Sequence, residues 1–130
     1  EKGELVLSIA SIQYRKLGQP GAARETARRA AGLKPNWGAP YLLIGDMYVG
    51  GANNCGDAWV TSLAILAAID KYQYAKATDP SMSDVANDRI GRISAYMPDK
   101  AEGFMKGMKE GASLNVPCWI GETVRLRYKS

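Results

Sequence analysis

Two cysteines and no histidine limit the chemistry open to this 130-residue chain. Cys55 and Cys118 are 63 residues apart and form no CxxC redox pair, and no imidazole is present to complete a zinc site or activate a thiol. A Ser-His-Asp triad, a Cys-His dyad, an HExxH site and an imidazole pH switch are all excluded. Asp84 and Asp88 share a helix face, but a solvated face or a cap is their expected role. Asn53, Asn54 and Asp57 lack the alternating acidic ligands and the closing Glu of an EF-hand loop. Gly50, Gly51 and Gly56 make neither GxGxxG nor a Walker loop. Met97, Met105 and Met108 read as packing or capping residues. No active site is visible, so no catalytic residue, metal or cofactor is expected.

The cysteines keep two readings. Both lie in stretches containing Gly or Pro, where a disulfide would tie the loop around Cys55 to the C-terminal tail. In the chain-entropy model such a closure is worth about 4 kcal/mol, and it would imply an oxidising, extracytoplasmic compartment. The alternative is two free thiols, which would point to the cytoplasm.

The chain carries 17 basic and 13 acidic residues, a net charge of +4. The basic excess centres on Arg24, Arg28 and Arg29, with Arg24 and Arg28 on one helix face and Glu25 placed to pair with Arg29. A solvated helix face is expected. There is no RGG segment and no basic run interleaved with aromatics, so no nucleic-acid partner is expected. The length suits one domain. No stretch reaches the roughly 18 uninterrupted apolar residues of a membrane span. The best candidate, Trp59 to Ile69, is broken by Thr61 and Ser62 and followed by Asp70 and Lys71. Glu1-Lys2-Gly3 shows neither an initiator Met nor a signal-peptide pattern and reads as the start of a mature or trimmed chain.

The elements that must position any site come from an internal repeat. Leu7, Ala10, Ser11 and Tyr14 recur at an offset of 34 as Tyr41, Ile44, Gly45 and Tyr48. Ala23, Ala27, Ala30 and Pro35 recur at an offset of 45 as Ala68, Tyr72, Ala75 and Pro80. Ala86, Arg89, Ile90 and Ile93 form a weaker third copy of the first set, and the change of offset marks an 11-residue insertion between Tyr48 and Ala68. Small residues let helix axes approach, tyrosines fill the space between units, and Pro35 and Pro80 stop the second helix of each unit. Helices are expected over 3–17, 20–33, 37–50, 57–78, 82–96 and 98–111, with Asp57 as an N-cap. From Val116 to Tyr128, apolar and polar residues alternate. A short hairpin or extended segment is expected there, with Val124, Leu126 and Tyr128 on one side. It reads as a cap over the end of the helical stack, with a partner-pairing strand edge as the alternative.

Tyr41-x2-Ile44-Gly45-x2-Tyr48, then Ala68-x3-Tyr72, then Pro80 resembles the signature of the tetratricopeptide (TPR) family. The resemblance implies an all-α, helical-hairpin solenoid of about six helices over residues 1–111, in units near 3–36, 37–81 and 82–111, with residues 112–130 as cap. The Cys-Gly-Asp turn, the long helix and the Cys-Trp-Ile-Gly-Glu-Thr tail together resemble the C-terminal region of TPR proteins from Bacteroidota cell envelopes. In this family the first helix of each unit lines a concave groove for an extended peptide or partner helix. Helix phase then places Ser8, Ile12, Arg15, Leu42, Asp46, Val49, Asn87 and Ser94 along the groove, with Arg15 and Asp46 able to pair across neighbouring helices. The expected function is non-catalytic protein–protein interaction. The alternative is the structural C-terminal end of a longer repeat scaffold in an envelope or secretion assembly.

Overall fold

The structure is a computed structural model that describes residues 2–130; Glu1, the first residue of the expected repeat region, lies outside the described residues. These residues form six α-helices: α1 Lys2–Arg15, α2 Pro20–Leu33, α3 Ala39–Gly51, α4 Ala58–Thr78, α5 Ser83–Ile93 and α6 Lys100–Met105. Two short strands follow, β1 Ser113–Asn115 and β2 Thr123–Arg125. The molecule is mostly helical, as the repeat implies, and α1 through α4 each pack on the next helix in sequence.

The helix boundaries follow from local chemistry. Pro20 opens α2 at a position where its missing amide leaves no bond unmade. Asp57 caps α4 by accepting from the Val60 amide at 3.0 Å. Asp79 ends the same helix and also accepts from the Gly38 amide at 2.9 Å, linking the turn after α4 to the start of α3. Ala10, Ala23, Ala27 and Ala30 are fully buried where the first two helices meet. A Cβ on Gly45 would lie 2.5 Å from Cε1 of Tyr72, so the tyrosine ring sits directly on the α3 backbone.

Part of the insertion is absorbed by α4, which has 21 residues against 14 in α2. Its buried residues run from Trp59 to Ala75 and point all round the helix, as expected of an element enclosed by α3, α5 and β2. Two expected helices are shorter than their sequence pattern. The fifth ends at Ile93 and passes through a 3-10 turn, Ser94–Tyr96, because Pro98 forces Met97 into an extended conformation. The sixth spans only Lys100–Met105, and Gly107 terminates it at a φ of 72°.

The tail forms an antiparallel hairpin with Leu114 opposite Val124. Its first strand is Ser113–Asn115 and the Val116 to Glu122 stretch is the loop, closed by the Val116 amide donating to the Glu122 carbonyl at 2.7 Å. Val116, Ile120, Val124 and Leu126 are at most 2% exposed, and Tyr128 is half-buried on the expected side. This segment runs along α2 and α4 as well as reaching the end of the stack. Arg24 accounts for much of that placement. Its Nη1 donates to the Ile120 carbonyl at 2.6 Å and to Tyr48 Oη at 3.0 Å, and its Nη2 to the Trp119 carbonyl at 3.1 Å. The expected solvated face of α2 therefore keeps Arg28 but not Arg24, whose side chain is 16% exposed. Tyr48 donates to Glu122 Oε2 at 2.5 Å, and Lys71 reaches the same oxygen at 3.0 Å. Arg127 pairs with Asp70 at 2.9 Å. Cys55 and Cys118 form a disulfide, with Cα atoms 5.1 Å apart, that fixes the loop to the turn after α3.

Candidate functional site

Three adjoining hollows make one trough between α3 and α5, floored by α4. At one end Asp46, Val49, Tyr72, Arg89, Arg92 and Ile93 surround a space of about 250 Å³. Val49 and Ile93 also border the middle space, about 290 Å³ and the most enclosed, with Asn53, Thr61, Ile65 and Tyr96. Asn53, Thr61 and Tyr96 continue into the third, about 310 Å³, which ends at Asp99, Glu102 and Lys129. A larger hollow of about 460 Å³ is lined by α5 alone and has no opposing wall.

The helices set the chemistry of the trough. Asp46 sits one turn after Leu42 on α3 and takes bonds from two helices, Tyr72 Oη at 2.6 Å and Arg89 Nη1 at 2.8 Å. Burial, and then the hydrogen bond that Tyr72 donates to the Asp46 carboxylate, pushes the Tyr72 phenol far above its ordinary pKa, so Tyr72 acts as a fixed neutral donor. Arg92 holds Asp88 through Nε at 2.9 Å, with its side chain 76% exposed. Tyr96 stands out from the 3-10 turn at 65% exposure over the apolar waist of Val49, Ile65 and Ile93. Such a lining of apolar surface with a few placed polar groups is the common form of a binding cleft. Among the described residues no group of three or more His, Cys, Asp or Glu side chains could hold a metal ion.

The residues placed by helix phase divide. Asp46 and Val49 line the trough. Ser8 lies in a separate shallow hollow of about 310 Å³ between α1 and α3, with its hydroxyl donating to the Glu4 carbonyl at 3.0 Å. Ile12 and Arg15 are exposed on α1, and Arg15 donates to Ser11 Oγ at 3.2 Å; the pairing with Asp46 is not made, because Arg89 occupies that carboxylate. Leu42 is only 6% exposed, buried because α3 is apolar on nearly every side. Asn87 faces α4, accepting from Lys76 at 2.6 Å, and Ser94 bonds back to the Ile90 carbonyl at 2.7 Å.

No protein-family model, curated protein or solved structure matches this chain. The residues that helix phase missed are Arg89, Arg92, Ile93 and Tyr96. One carried a signal. Arg89 occupies the repeat position held by Ala10 and Ile44 in the first two copies, and a charge at an apolar packing position marks a polar contact to be sought.

Proposed function

We propose that this chain is a non-catalytic interaction module of the tetratricopeptide type, which holds a peptide segment of a partner protein in the trough between α3 and α5. The observation that carries it is the continuous cleft with an apolar waist under an exposed Tyr96, since exposed aromatics beside a cleft are favoured anchors of protein interfaces. The 34-residue recurrence and the sequential packing of helices support the family reading. The Cys55–Cys118 disulfide supports an extracytoplasmic location in a cell envelope. No helix among the described residues is long and apolar enough to cross a membrane.

Peptides selected from a capped random library on the purified chain test the reading. Tyr96→Ala should weaken a selected peptide by about tenfold, the lower range of an aromatic anchor. Unchanged affinity removes the trough assignment.

A structural role in a larger scaffold has one observation in its favour. Leu5, Ile9 and Ile12 form an exposed stripe on α1, 63%, 45% and 51% exposed, whereas Leu43, 34 residues on from Ile9, is buried. Another helical unit of the same kind would cover that stripe. Ile9→Glu should then abolish assembly of the full scaffold in sedimentation, with no change in peptide binding; an unaltered assembly rejects this reading.

A further inference from the structure

We infer that the trough reads the order of charges along its partner: an acidic side chain at one end, an apolar side chain at the waist and a basic side chain at the other end. The inference rests on the peptide-binding reading and adds the chemistry of the occupant.

The two ends differ in what they leave unsatisfied. At the α5 end the guanidinium groups of Arg89 and Arg92 are three residues apart on one helix and each is anchored by a carboxylate. Arg89 uses Nη1 on Asp46, and Arg92 uses Nε on Asp88. A guanidinium has five N–H donors in a planar fork, so each paired arginine keeps donors for a carboxylate of the ligand. At the other end the charge reverses. Two carboxylates, Asp99 and Glu102, line it with one cation, Lys129, so the balance is acidic. Asp99 spends one oxygen capping α6 through the Glu102 amide at 3.0 Å and meets Lys129 only at 4.0 Å. Glu102 is exposed, and its carboxylate makes no ion pair among the described residues. Between these ends the floor is apolar at Val49, Ile65 and Ile93, with no charged side chain lining the middle space.

An occupant of uniform charge is matched at one end and repelled at the other, whereas the mixed order is matched at both. Complementary charge of this kind selects among partners more than it adds affinity, and like charges set opposite each other carry the rejection.

Three fluorescein-labelled peptides with neutral blocked ends test this, each carrying one central Leu between Gly spacers. One has Glu on one flank and Lys on the other, one has Glu on both flanks, and one has Lys on both. Fluorescence polarisation at low salt should show the mixed peptide binding at least about tenfold tighter than either uniform one. Arg92→Gln should erase the preference over the all-Lys peptide, and Glu102→Gln the preference over the all-Glu peptide. Both side chains are exposed, so neither variant threatens the fold. Equal binding of the three peptides overturns the charge order and leaves the trough reading intact if Tyr96→Ala weakens all of them. Failure of all three, when library-selected peptides still bind through Tyr96, also overturns it. If no peptide of either origin binds, the charge order and the trough reading fall together.

Discussion

The side of the molecule covered by the tail and the trough between α3 and α5 are both rich in charge, yet they use it differently. Against the tail, Arg24, Asp70, Lys71, Glu122 and Arg127 all close onto partners within the chain, and a disulfide pins the loop they hold. Along the trough, Arg89 and Arg92 are anchored at one edge only, Glu102 makes no ion pair among the described residues, and Tyr96 is exposed. Charges that close onto partners inside the fold fix a shape. Charges that are oriented and only partly satisfied retain capacity for a ligand, and placing them on rigid helices keeps that capacity preorganised. The difference separates a clamp from a site.

Removing the clamp is the harshest test of that separation. Truncation after Gly111 deletes Val116, Ile120, Val124 and Leu126, four side chains at most 2% exposed. Each is worth about 1.5–3 kcal/mol of burial, so the total approaches the roughly 5–15 kcal/mol by which a whole domain is stable. The truncated chain should show no cooperative melt by circular dichroism. A melt within a few degrees of the full chain would mean that the tail is an accessory segment, and the comparison would collapse. Breaking only the disulfide, with Cys55→Ser and Cys118→Ser together, should cost up to about 4 kcal/mol in denaturant unfolding, the loop-closure value for a separation of 63 residues. Peptide affinity at the trough should not move. Loss of affinity in the folded variant would show that the two regions are coupled.

What could be read from the sequence was what depends on local spacing. The alanines and tyrosines of the repeat and the Asp57 cap all announce themselves within a few turns of helix. The alternation that puts Val124, Leu126 and Tyr128 on one side is equally local. Arg24 was illegible for the opposite reason. Its spacing with Arg28 describes an exposed face, but its acceptors at Trp119 and Ile120 lie 95 and 96 residues away. Leu42 shows the limit of helix phase itself. Where Leu42, Leu43, Ile44, Met47 and Tyr48 are all buried, an apolar helix has no wet side for a periodic pattern to mark. Arg89 lies between these cases: its repeat position, held by Ala10 and Ile44 in the first two copies, carried a signal that helix phase passed over, while its partner Asp46 came only with the packing of α5.

The smallest expected effect concerns Glu122, and its sign follows from the clamp. Burial raises the pKa of this carboxyl, but the hydrogen bonds from Tyr48 and Lys71 outweigh burial and hold it below the ordinary carboxylate value. A pKa lower in the folded than in the unfolded state stabilises the fold above the unfolded value, near 4.5, and the contribution disappears as pH falls through the folded value. Tyr48 stays a neutral donor throughout, because burial first and then Glu122 push its phenol up to about 12. Glu122→Gln keeps an acceptor for Tyr48 and removes only the charge facing Lys71 and Arg28. It should therefore melt below the wild type at pH 7 by an amount corresponding to about 1 kcal/mol, with the gap narrowing as pH falls below 4.5. A gap of the same size on both sides of pH 4.5 would show that Glu122 acts by shape and not by charge. Gln in place of Glu102 supplies the contrast, since it tests the same loss of charge in a group with no ion-pair partner among the described residues: melting at pH 7 should be unchanged, and only the trough's choice of peptide should respond.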